Sequence, residues 1–121
     1  MQLKYLVLIY WFFLIFILAL LENESEISTL HRLAVDCHVG SDWRLLGKEL
    51  AGFSNGQMDQ LEEPFKANQY PFREVIYQML LMWSDHSETK PTLGVLAKAL
   101  WKCKMYAAFM SLLDVVNNSQ K

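Results

Sequence analysis

The stretch Tyr70-Pro71-Phe72-Arg73-Glu74-Val75-Ile76-Tyr77-Gln78-Met79-Leu80-Leu81-Met82-Trp83 decides what kind of structure this chain builds. Phe72, Val75, Ile76, Met79, Leu80 and Trp83 recur at intervals of three and four, the period of a helix with one apolar face. Pro71 stands in the first turn, where a helix tolerates proline. A strand would need alternation by two, and neither flank of this stretch supplies it. Upstream, Ile27, Leu30, Leu33, Ala34 and Cys37 give the stripe of a first helix that Gly40-Ser41 ends. Trp43, Leu46, Gly47 and Leu50 give a second, closed by Gly52. Ser54-Asn55-Gly56-Gln57 has the spacing of a capping box and opens a short third helix that runs to Glu63-Pro64. After the fourth helix quoted above, Lys90-Pro91-Thr92 caps a fifth with Leu93, Leu96, Ala97 and Leu100 inward, and Phe109, Leu112, Leu113 and Val116 mark a sixth. The expected core is Leu30, Trp43, Leu46, Leu50, Leu61, Ile76, Met79, Leu80, Trp83, Leu96, Leu100 and Phe109.

The chain has 121 residues, room for one domain and a short appendage. A hydrophobic content of 53% suffices for a packed core, and three Pro and five Gly argue against low complexity. The net charge of −2 supplies no positive field for nucleic acid, so partner choice rests on local patches. Two cysteines, Cys37 and Cys103, are too few for a disulfide framework, although one bridge between them is arithmetically allowed.

The N-terminus differs from everything after it. Tyr5 to Leu21 is an unbroken run of apolar residues, preceded by Lys4 and followed by Glu22, Glu24 and Glu26. As a helix it is about 26 Å long, short against a hydrocarbon core of about 30 Å but near the thickness of a thin membrane. Four readings stand: an uncleaved anchor, a signal peptide, a mistaken gene start, or a helix buried in a partner. The signal peptide fits less well, because Ala19 is followed by Leu20 and Leu21 rather than by a small-residue cleavage pattern. As an anchor it would turn Tyr5, Leu6, Trp11, Phe12, Phe13, Phe16 and Leu21 toward lipid. Orientation is nearly balanced, with Lys4 on one side and Arg32 beyond the other end. The expected organisation is an anchor or signal-like helix with an acidic linker over residues 1–26, a bundle over 27–116 that folds without them, and a disordered tail over 117–121.

Four pieces of the bundle resemble the death domain, a six-helix antiparallel bundle used for homotypic signalling contacts. They are Trp43-Arg44-Leu45-Leu46-Gly47-Lys48-Glu49-Leu50, Met58-Asp59-Gln60-Leu61-Glu62, Val75 to Trp83, and Pro91-Thr92-Leu93-Gly94-Val95-Leu96-Ala97-Lys98-Ala99-Leu100, which are similar to its second to fifth helices in order. Within the family, Thr92-Leu93-Gly94 with Leu100-Trp101 and Tyr106 looks most like the immune-deficiency adaptor of arthropods, with the Fas-associated adaptor type next. The resemblance implies an all-α fold, an adaptor-like role in apoptosis or innate immunity, other death-domain proteins as partners, no cofactor and no enzymatic activity.

The residues themselves offer little for catalysis. Cys37-His38 are adjacent and so point about 100° apart on a helix, with no third group to orient them; Cys37 reads as a buried helix residue. His31, His38, His86, Cys37 and Cys103 show no metal-ligand spacing. Asn23-Glu24-Ser25 and Asn117-Asn118-Ser119 match glycosylation sequons, which matter only outside the cytosol. Charge says more. Asp59, Glu62 and Glu63 share one face of the third helix, and Lys98 and Lys102 one face of the fifth, with Lys90 and Lys104 near. Opposite patches on one small domain permit head-to-tail association, which the resemblance favours over a merely solvated surface. Trp101 sits beside the buried stripe as an expected surface anchor. Three functions remain open: a membrane-tethered recruiter of death domains facing the cytoplasm, with homo-oligomers included; a decoy that occupies a partner's surface; and a secreted helical carrier with a Cys37–Cys103 bridge.

Overall fold

The computed structural model describes residues 3–88 and 90–119. Its order is α1 (Leu3–Leu21), α2 (Thr29–Val39), a single 3₁₀ turn (Gly40–Asp42), α3 (Trp43–Ala51), α4 (Asn55–Lys66), α5 (Phe72–His86), α6 (Leu93–Lys102) and α7 (Tyr106–Ser119). Helices α2 to α7 form the expected six-helix bundle. Among the described residues the nearest approach to a strand is one antiparallel bridge between Glu26 and Thr92.

The helix ends follow local chemistry. Ser54 Oγ accepts from the Gln57 N–H at 3.2 Å while Gln57 Oε1 accepts from the Ser54 N–H at 2.9 Å, the reciprocal cap read from the sequence. Gly52 closes α3 in the left-handed conformation, its N–H donating to Lys48. A second capping box was not foreseen: His31 Nδ1 accepts from the Ser28 N–H at 3.0 Å at the start of α2, so histidine plays the part usually taken by Glu or Gln. Helix α4 passes through Pro64 to Lys66 instead of stopping there. Proline there leaves the Gln60 carbonyl without its usual N–H donor, so the last turn forms at the loss of one hydrogen bond. Helix α7 runs to Ser119, so Asn117 and Asn118 lie in a helix rather than a disordered tail, and Gln120 and Lys121 are outside the described residues.

Trp43, Leu46, Ile76, Met79, Leu80, Trp83, Leu96, Leu100 and Phe109 are buried as expected, and Leu50 and Leu61 are half-buried against them. Leu30 is a correction: it is 54% exposed, and Leu33 and Cys37 on the same stripe are exposed too. The reason is a register shift. Ile27 belongs to the linker, where its N–H donates to Pro91 O at 3.0 Å, and the helix begins only after the Ser28 cap. The buried face of α2 is therefore Val35, Asp36 and Val39. Asp36 is 2% exposed and accepts a 2.8 Å bond from Arg73 Nη2 of α5. Burial raises the pKa of its carboxyl, and the hydrogen bond and charge of Arg73 restrain that rise.

Helix α1 is attached to this bundle by its last turns. Leu20 is 2% exposed, and Ile17 and Leu21 pack half-buried against the core. Beyond it, Asn23 O and Ser25 O accept from the N–H groups of Gly94 and Leu93, each at 2.8 Å. These are first-turn donors of α6 that have no partner within the helix. Thr92 Oγ1 accepts from Val95 N–H at 3.2 Å and caps a third. The acidic linker is thus the N-terminal cap of α6.

Candidate interaction surfaces

The acidic face of α4 is built around a cation supplied by α3. Arg44 Nη2 lies 2.8 Å from Asp59 and 2.9 Å from Glu62, and its guanidinium sits 5.1 Å from the Trp43 ring. The bonds to Glu62 and then Asp59 raise the pKa of Arg44 further and keep it charged. The Glu62 side chain is only 16% exposed and also has Lys66 Nζ at 4.0 Å. Of the three acids, Asp59 and Glu62 are paired inside the domain, and Glu63 is exposed on the outer side. The sequence shows three carboxylates on one helix face but not the arginine between two of them, because Arg44 arrives from another helix.

The four lysines do not form one patch. Lys90 and Lys98 border a hollow beside the linker, together with Glu22 and Glu24. Lys102 Nζ lies 3.0 Å from Glu49 Oε1, bridging α6 to α3. Lys102 and Lys104 border a second hollow with Leu45, Lys48 and Cys103. Lys104 occupies the left-handed turn after α6, with φ +60°, and donates its N–H to Trp101 O. Leu45 and Lys48 were missed as surface candidates; nothing in their local sequence connects them to a lysine more than fifty positions away.

Trp101, the expected surface anchor, is 48% exposed, and its ring meets Tyr106 edge-on at 5.0 Å and Phe109 at 5.1 Å. Tyr106 is 47% and Met110 39% exposed. The α1 residues Tyr5, Leu6, Trp11, Phe12, Phe13 and Phe16 are all exposed, whereas Leu21 is half-buried against the bundle and so faces protein rather than lipid. The correction has a plain cause: Leu21 adjoins Gly94, whose missing side chain lets the two backbones meet.

Chemically reactive groups are sparse. Cys37 and Cys103 are free thiols, and burial, followed by Glu49, pushes the Cys103 thiol up, away from nucleophilic character. Among the described residues no three of His, Cys, Asp and Glu converge as a metal-holding group. A six-helix bundle whose chemistry lies in charged and aromatic surfaces has the make-up of an interaction module. A family model for the death domain matches residues 28–116, and the chain belongs to that family. Death domains are protein-interaction modules for homotypic assembly with other death-domain proteins, not enzymes. No curated protein matches the chain.

Proposed function

We propose that this chain is a membrane-tethered death-domain protein that recruits other death domains, or further copies of itself, in immune or apoptotic signalling. The observation that carries the reading is α1: a helix of 19 residues, long and apolar enough to cross a membrane, with Leu20 its one fully buried residue. Its sequence likeness to the arthropod immune-deficiency and Fas-associated adaptor types supports the signalling role. The bundle would face the cytoplasm, where its partners are. Contact runs between the acidic edge of α4, through Glu63 and Asp59 with Glu62 behind them, and the basic edge of α6 through Lys90 and Lys98.

Charge exchange tests the contact. Exposed pairs contribute about 0.2–1 kcal/mol each, so Asp59 and Glu63 should be reversed to Lys together, leaving Glu62 to hold Arg44. Self-association should weaken, most at low salt, and a second copy with Lys90 and Lys98 reversed to Glu should restore binding between the two variants but within neither. Loss without rescue rejects the pairing. For the membrane reading, the protein should stay in the pellet after carbonate washing, with its C-terminus open to protease in cytosol-out microsomes; a protected C-terminus or glycan at Asn117 would reverse the topology.

A further inference from the structure

We infer that the face of the bundle formed by Trp101, Tyr106 and Met110, edged by Lys102 and Lys104, rests in the headgroup layer of the membrane that α1 enters. The inference depends on α1 being a membrane helix, and it reassigns Trp101, Lys102 and Lys104 from a protein partner to lipid. Its first ground is the stiffness of the junction. Leu20 is in the core, the Asn23 and Ser25 carbonyls are bonded to α6, and Ile27 is bonded to Pro91. A Cβ on Gly94 would lie 2.5 Å from Leu21 O and 2.9 Å from Asn23 O, so helix and bundle meet backbone to backbone. No slack chain separates the bundle from the bilayer.

The second ground is reach. Ile17, Leu20 and Leu21 are engaged by the bundle. Residues 3–16 are left, about 21 Å of helix, against a hydrocarbon core of about 27 Å in thin membranes. Such a helix crosses only if Lys4 snorkels at the far side and the bundle sits flush on the near side. The third ground is what lies beside the exit of α1. Phe13 and Phe16 line an open cleft together with Met110, Leu113, Asp114 and Asn117. Met110 is one turn beyond Tyr106 on α7, and Tyr106 touches Trp101. An exposed apolar strip therefore continues from α1 onto the bundle. It ends in the amphipathic aromatic residues that favour the headgroup layer. Next along the chain from Trp101 come Lys102, exposed although paired with Glu49, and Lys104 in the turn after α6, charges that suit anionic lipid.

Trp43 and Trp83 are buried at 2% and 0% exposure, so the tryptophans open to quenchers are Trp11 and Trp101. Full-length protein carrying Trp11→Phe, reconstituted in phosphatidylcholine vesicles with a minority of phosphatidylserine, isolates Trp101. Lipid brominated near the headgroup end of its acyl chain should abolish most of the emission that a further Trp101→Phe substitution removes, and lipid brominated near the chain end should abolish less. Replacing Lys102 and Lys104 by Glu should open Trp101 to aqueous iodide in these vesicles. Quenching of Trp101 by iodide and not by brominated lipid, while Trp11 in a Trp101→Phe protein is quenched by lipid, would overturn the inference and leave the tether intact. Iodide reaching both residues in protein that fails to float with vesicles would remove the tether, and this inference with it.

Discussion

Helices α1 and α5 are both long and rich in large apolar side chains, yet α5 buries Val75, Ile76, Met79, Leu80 and Trp83 whereas α1 buries Leu20 alone. The difference lies in pattern. Arg73, Glu74 and Gln78 interrupt α5, which leaves one face for water and one for the core. Nothing polar interrupts α1 between Tyr5 and Leu21, so it has no face suited to water, and a bundle of this size takes in only its last turns. Apolar content selects burial of some kind; periodicity selects burial inside the same domain.

The comparison breaks most sharply at Trp83. Trp83→Ala should cost about 3–5 kcal/mol of bundle stability, read as a lowered denaturant midpoint by circular dichroism. A smaller cost would mean that α5 is less central than its burial says. At the seam between the two regions, Leu20→Ala should cost about 2–5 kcal/mol, toward the low end because it lies at the edge of the core. Removal of residues 1–26 should cost at least as much, since it also strips the carbonyl caps from α6. Removal of residues 1–15 should spare the bundle; equal stability of the two truncations would show that the junction contributes nothing.

Arg73→Ala asks whether the polar face of α5 also holds the core. At neutral pH it leaves the Asp36 carboxylate buried without its donor, a loss of about 1–3 kcal/mol. Because burial raises the folded-state pKa of Asp36 above the unfolded value, the folded state takes up the proton more readily. The cost should thus be greatest above the folded pKa and shrink as pH falls below it. Urea melts showing the same cost at acid and neutral pH would exclude Asp36 as the cause. The smallest effect is expected farthest along α1: Phe12→Ser should change bundle stability in detergent by less than about 0.5 kcal/mol, although it weakens retention in carbonate-washed membranes. A measurable loss of bundle stability would mean that α1 packs more fully than its exposure indicates.

Reading the sequence succeeded where neighbouring residues carry the signal and failed where distant ones do. The Ser54–Gln57 box, the Gly52 stop and the stripes of α3, α5, α6 and α7 all come from spacings within one or two turns. The stripe of α2 came out turned, because Ile27 is apolar and falls on the helical period although it belongs to the linker. Its true face carries Asp36, which no apolar count selects and which is buried only because Arg73 reaches it from α5. The charged faces likewise hold pairings that no local spacing shows. Asp59, Glu62 and Lys102 are each paired with a residue of α3, while Asp59 and Lys102 keep exposed side chains.

By itself, then, the sequence determined that the chain is helical, where most of its helices begin and end, that six of them form a death-domain bundle, and that an uninterrupted apolar segment precedes it. All but the death-domain bundle, which comes from the resemblance of four segments, follow from hydrogen bonds and hydrophobic periods a few residues long. Only the tertiary structure decided which acids and lysines remain outward, how α2 is turned, and that α1 and its linker are bound to the start of α6 through Gly94. Those depend on groups tens of residues apart meeting at 2.8–3.0 Å, and a short-range pattern carries no record of which distant surfaces meet.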